Sequence, residues 1–191
     1  MENNTVLLAI DDYLLPFRRD LCYYVSKPTV RKEAVLAPSV DDPNAPDHET
    51  AHFYGTVLHD GGKYRMWYYG NSDLKGGGGA CYAESDDGIE WTKPSLGQVE
   101  FKGSRDHNKL ALAGEKLYGI SVIKDEDDPD PQRRYKMMYE HTPDFGRGLG
   151  RYKRPRLTLR TATSPDGIAW TSGDDFPIDD HCEHGSFYKH G

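Results

Sequence analysis

The chain has 191 residues, of which 36% are apolar and 12% aromatic, with 13 Tyr and 3 Trp. That is enough for one ordinary domain with a real core and too little for two large ones, and the aromatic content argues against a disordered chain. A formal charge of −7 and a pI near 5.6, with a mean hydropathy of −0.80, argue against nucleic acid as a partner, because phosphate contacts need an excess of Lys and Arg.

From the N-terminus, residues 1–50 read as a lead-in strand followed by an extended loop. Met1 to Leu15 carries Glu2 where a signal peptide has positive charge, and Asp11 and Asp12 break its apolar run. No span reaches the ~18 apolar residues of a membrane helix, so the expectation is a soluble chain without a membrane partner, cytoplasmic by default. The stretch APSVDDPNAPDHET (37–50), rich in Pro, Asp and Asn, reads as an extended loop. Cys22, Cys81 and Cys182 are too few and too widely spaced for a disulfide framework or a zinc ribbon, and read as reduced and buried.

Beyond residue 50 the sequence repeats itself. YGTVLHDGGKYRMWYYG (54–70) and ACYAESDDGIEWTKP (80–94) align with YGISVIKDE (118–126), RYKMMYE (134–140) and LRTATSPDGIAWT (159–171). The offset grows from 64 at Tyr54/Tyr118 to 71 at Tyr64/Tyr135 and 79 at Ser85/Ser164, so the insertions fall in the connections, as they do between strands. GSFYKHG (185–191) begins a third copy, with Gly55, Gly119 and Gly185 spaced by 64 and 66.

Each copy reads as four antiparallel strands. Asp60-Gly61-Gly62 makes a hairpin turn between Val57-Leu58 and Tyr64 to Tyr69. Ser85-Asp86-Asp87-Gly88 turns Cys81 to Glu84 into a strand from Ile89 to Thr92, with Asp87 positioned to accept backbone N–H groups and Trp91 to fill the space between sheets. Four short strands in about 65 residues make one propeller blade. The predicted architecture is all-β, a partial β-propeller with blade 1 over 51–110, blade 2 over 111–178 and the start of blade 3 over 179–191. Two and a fraction blades do not close a ring, which needs at least about four. The chain is therefore expected to be part of a longer one, or to have its open faces covered by further blades or a second copy.

These motifs carry a family resemblance. The run G-K-Y-x-M-x-Y (62–68), the S-x-D-G-I-x-W hairpin, K-P-x-L-G (93–97) and F-K-G-S-x-x-x-N (101–108), with DDYLL (11–15) in the lead-in, together resemble the five-bladed propeller glycosidases, the group of invertase-like fructosidases, levansucrases, arabinanases and xylosidases. The sialidase propellers, a rival, have a turn box one residue longer than Ser85 to Trp91 and Ser164 to Trp170. The resemblance implies about two and a half blades of a five-bladed propeller, boxes that are structural, and a funnel at the start of the innermost strands. There two carboxyl groups would cut a glycosidic bond, one protonating the leaving oxygen and one attacking or activating water.

Laying the arabinanase-type pattern on each blade, seven positions before the turn, gives Phe53, Tyr118 and Glu183; only the last is a carboxylate. Glu49, with His52, Asp106 or Glu115, and Asp179 or Asp180 stand nearby. The candidate catalytic set is therefore Glu49, Glu183 and Asp106, with His52, Phe53, Tyr118 and His184 as substrate-binding residues. Asp180 to His184 also invites a metal, but on a strand His181 and Glu183 face away from Cys182 and His184, so no metal and no cofactor is assigned. KDEDDPDPQ (124–132) reads as a solvated hairpin tip in preference to a calcium loop. RGLGRYKRPRLTLR (147–160), with five Arg and one Lys, is either an exposed connection or a grip for an acidic glycan, and Gly76 to Gly79 is a loop tip. Two functions follow: a glycosidase acting on oligo- or polysaccharide, and a carbohydrate-binding or scaffold propeller without catalytic acids, which Phe53 and Tyr118 favour.

Overall fold

The computed structural model describes residues 19–20, 26–72, 78–112, 117–141, 158–173, 186 and 188–189, without the side chains of Tyr118 and Thr158. Residues 1–33 and 34–191 form two compact units, and the described part of the first is strand-free and exposed. Among the described residues no helix is long and apolar enough to cross a membrane, and the one helical segment is the 3-10 turn Pro131–Arg133.

The architecture is all-β and propeller-like. β1 (Thr50–Asp60), β2 (Lys63–Asn71) and β3 (Gly79–Ser85) form one antiparallel sheet, and β4 (Leu117–Lys124), β5 (Tyr135–His141), β6 (Thr158–Ser164) and β7 (Thr171–Ser172) form a second in the same order. The registers coincide: Tyr64 faces Ser85 as Tyr135 faces Ser164. Where a full fourth strand is expected at Ile89 to Thr92, the first sheet keeps only a bridge between Glu84 and Thr92. In the turn before it, Asp87 Oδ1 accepts from both Ile89 N and Glu90 N at 2.8 Å, so a side chain holds these two amides.

The second turn repeats this geometry. Asp166 Oδ1 accepts from Ile168 N and Ala169 N at 2.8 Å, Ser85 Oγ and Ser164 Oγ each accept from the glycine amide at 2.9 Å, and the indoles of Trp91 and Trp170 donate to the glycine carbonyls at 3.1 and 3.0 Å. Burial separates the two: Trp170 belongs to the main core, whereas Trp91 is half-buried against a smaller cluster.

The main core lies between the sheets. Trp67, Ala80 and Tyr82 of the first sheet meet Ile120, Val122, Met137, Tyr139 and Trp170 of the second. The turn of the second sheet lies on the first: Trp67 Nε1 donates to Gly167 O at 2.8 Å and Arg65 to Asp166 O at 2.6 Å. Gly167 has φ +77°, and a Cβ there would stand 2.9 Å from the Trp67 ring, so only glycine fits. The other face of the first sheet, Met66, Tyr68, Cys81 and Ala83, packs against Leu36, Ala51 and Trp91. There burial pushes the Cys81 thiol up to about 12, an unreactive buried sulfur.

At the C-terminal ends of β1 and β4 the sheets are tied by charge. Lys124 Nζ lies 2.5 Å and Arg65 NH1 3.3 Å from Asp60, and the Tyr135 hydroxyl also donates to this carboxylate. Burial alone would raise the Asp60 carboxyl, but hydrogen bonds from Lys124, Tyr135 and Arg65 outweigh it and hold it below its ordinary value. Stability from this cluster is therefore complete above about pH 4, the ordinary Asp value, and is lost as pH falls through the lowered native value. Lys124, pushed up to about 12 by Asp60 and Glu126, stays charged throughout. Asp60→Asn is expected to flatten the acid limb of a curve of melting temperature against pH, while above about pH 5 the curve stays parallel to that of the parent.

Candidate functional site

β1 and β4 are the first, edge strands of their sheets and touch each other: Thr56 Oγ1 donates to Ile120 O at 3.4 Å and accepts from Val122 N at 3.0 Å. Both are irregular near their glycines. On β1 the register shifts between His52 and Thr56, so that four steps along β1 face two along β2; on β4 it shifts between Tyr118 and Ser121. Gly55 marks the closest approach, since a Cβ there would fall 1.8 Å from Trp67 O.

β1 is an edge strand, and the stacked rings of His52 and Tyr54 share one of its faces, as alternate residues of a strand do. Here His52, Phe53 and Tyr54 are all exposed, Phe53 at 63% and Tyr54 at 51%. The His52 and Tyr54 rings stack at 5.6 Å with 12° between planes, and Tyr69 of β2 lies beside His52 at 6.1 Å. Below this ledge is an apolar recess of about 280 Å³, bounded by Val35, Leu36, Ala51, His52, Phe53 and Met66.

The other candidate residues fall as follows. Glu49 is exposed immediately before β1, and its amide donates to Asn71 O at 3.0 Å. Asp106 is exposed in a loop that runs beside β3, anchored by Tyr82 N to Asn108 O at 3.0 Å and Leu110 N to Ala80 O at 2.9 Å. With β2 between β1 and β3, the fold brings His52, Phe53 and Glu49 to one strand and does not bring Asp106 to it. Tyr118 lies on β4, in register with Glu140 of β5. Glu183 and His184 lie outside the described residues, as does most of the basic run 147–160.

Two residues were not singled out from the sequence. Tyr54 completes the ring stack, and its signal was the Tyr-Gly pair that recurs as Tyr118-Gly119. Glu140 is a carboxylate only 4% exposed near the end of β5, where the first sheet has Tyr69; the signal was an acid ending the run YKMMYE. Among the described residues no three His, Cys, Asp or Glu side chains gather as a metal-ligand set.

No family model and no curated protein matches this chain. Among solved structures it is similar to an inferred glycoside hydrolase from Bacteroides ovatus ATCC 8483, at 20% identity and a TM-score of 0.42, over 78% of this chain and 41% of that one. It is also similar to a protein solved as an RGII complex, at 14% identity and a TM-score of 0.32, over 79% of this chain and 62% of that one. The chain thus spans less than two thirds of the length of either.

Proposed function

We propose that this chain handles carbohydrate, binding an oligo- or polysaccharide at the N-terminal ends of its inner strands, in the funnel of a five-bladed ring to which its two sheets contribute two blades. The observation that supports this reading is the exposed aromatic group of His52, Phe53 and Tyr54 on β1. Sugar rings are apolar on their C–H faces and polar at their edges, so an aromatic ledge with an imidazole and a phenol at its rim complements them. Phe53 and Tyr118 stand where the resemblance to propeller glycosidases expects carboxylates, which favours binding over cleavage. Isothermal titration against a panel of neutral and acidic oligosaccharides tests this. Tyr54→Ala and Phe53→Ala are each expected to weaken binding about 3- to 10-fold, the share of one aromatic contact, with the melting temperature unchanged. Equal affinity in both variants would contradict the site.

A second reading, glycoside hydrolysis, is favoured by the buried Glu140 opposite Tyr118, with Glu49 and Glu183 as further acids. In it Glu183 or Glu140 protonates the leaving oxygen and Glu49 serves as the second carboxylate. Turnover of aryl glycosides or oligosaccharides by the parent, abolished in Glu140→Gln, Glu183→Gln or Glu49→Gln with affinity kept, would establish this reading. Binding without turnover leaves the first.

A further inference from the structure

The acidic stretch after β4 has a use that neither a calcium loop nor a solvated tip explains. We propose that it is the seat for a lysine of a third repeat, and that a carboxylate-to-lysine clasp recurs between successive repeats at the C-terminal ends of their inner strands. Two clasps support this. Asp60, ending β1, holds Lys124, ending β4, at 2.5 Å. Asp125, directly after β4, holds Lys189 at 2.6 Å, and Asp127 holds the same ammonium at 2.6 Å. The pairs Asp60–Lys124 and Asp125–Lys189 are each separated by 64 residues, close to the 64- and 66-residue spacing of Gly55, Gly119 and Gly185. In both the acceptor belongs to the earlier repeat and the donor to the later one.

The charges in the stretch are divided among different cations and do not converge on one point. Glu126 pairs with Lys124 at 2.6 Å, Asp128 with Lys136 at 2.8 Å and with Arg133 at 3.8 Å, and Asp125 with Lys136 at 2.7 Å. Asp130 caps the 3-10 turn through Gln132 N. Lys189 is the cation that meets Asp127, and it shares Asp125 with Lys136. These contacts, first Lys136 and then Lys189, hold the Asp125 carboxyl down to about 2, so the clasp stays charged at any ordinary pH. A clasp at the C-terminal end of each inner strand fixes the height of one blade against the next and leaves the N-terminal ends, with the aromatic ledge, unobstructed.

Zero-length carbodiimide cross-linking, read by peptide mass, tests the contacts, because the reagent joins only amines and carboxylates already touching. Cross-links are expected from Lys189 to Asp125 or Asp127 and from Lys124 to Asp60. The first is lost in Lys189→Met and in Asp125→Asn/Asp127→Asn, while the second persists in those variants and reports that the fold is intact. A melting-temperature cycle of Asp125→Asn, Lys189→Met and the double variant is expected to be non-additive, the double variant losing no more than the worse single. A Lys124–Asp60 cross-link without any from Lys189, additive losses, or a calcium-induced rise in melting temperature that disappears in Asp125→Asn would each overturn the proposal.

Discussion

Replacing Trp67 with Ala is expected to destabilise the protein by about 3–5 kcal/mol, the range for deleting a fully buried aromatic side chain. Trp67 is 0% exposed, meets Tyr82 edge-on at 5.7 Å and Tyr135 at 6.4 Å, and its indole N–H crosses to Gly167 of the second sheet. The loss therefore falls on the contact between sheets, not on one sheet alone. Trp67→Phe, which keeps most of the packing and gives up the hydrogen bond, is expected to cost about 1–2 kcal/mol. Urea unfolding measures both. Because Trp170 shares the same core, its fluorescence is expected to shift to the red in Trp67→Ala under native conditions. A loss below about 1 kcal/mol would mean the sheets do not depend on each other as described.

The second large effect is expected at Lys93. Its ammonium donates to Ala37 O at 2.7 Å, Ser39 Oγ at 2.9 Å and Asp47 Oδ2 at 2.6 Å, tying residues 37–47 to the sheet. Asp47 is 0% exposed, and the other described partner of its carboxylate is the Tyr68 hydroxyl at 2.8 Å, which itself accepts from Asn108 Nδ2 at 2.8 Å. Lys93→Met strands a buried carboxylate and is expected to cost about 3 kcal/mol, the lower end of the range for a broken buried pair because Lys93 retains some solvent contact. Asp47→Ala is expected to cost less, since Lys93 keeps two acceptors and can turn toward water. Urea midpoints in the reverse order would show that the carboxylate is not the dependent partner.

What could be read from the sequence was what local chemistry decides. The two turn boxes are set by Ser, Asp, Gly and Trp within seven positions, and they form the same bonds in both sheets. The strand pairings followed from the repeat because Tyr64 and Tyr135 occupy the same register. The contacts joining the sheets were not legible, since they span 64 to 101 residues: Arg65 reaches Asp166 and Trp67 reaches Gly167 only once both sheets exist. Lys93 was visible as part of K-P-x-L-G, but its partner Asp47 was hidden in a loop that composition marked as extended.

The candidate site was legible in position more than in form. Counting from the turn located Phe53 on β1. That His52, Phe53 and Tyr54 are all exposed was not legible, because exposure on both faces comes from the place of β1 at the edge of its sheet, which only the assembled sheet shows. The register shift beside these residues, where Gly55 approaches the Trp67 carbonyl, likewise has no periodic signature. Glu140 gave little signal because strand periodicity weighs apolar residues, and a buried acid registers as a strand end.

The most direct check on the carbohydrate reading is an amide-resolved NMR titration of the chain with the tightest-binding oligosaccharide. Shifts are predicted to centre on residues 52–55 and on Tyr69, while amides 101–109, in the loop beside β3, stay in place. Saturable shifts that spare 52–55 and gather elsewhere, or none with any sugar tested, would contradict it.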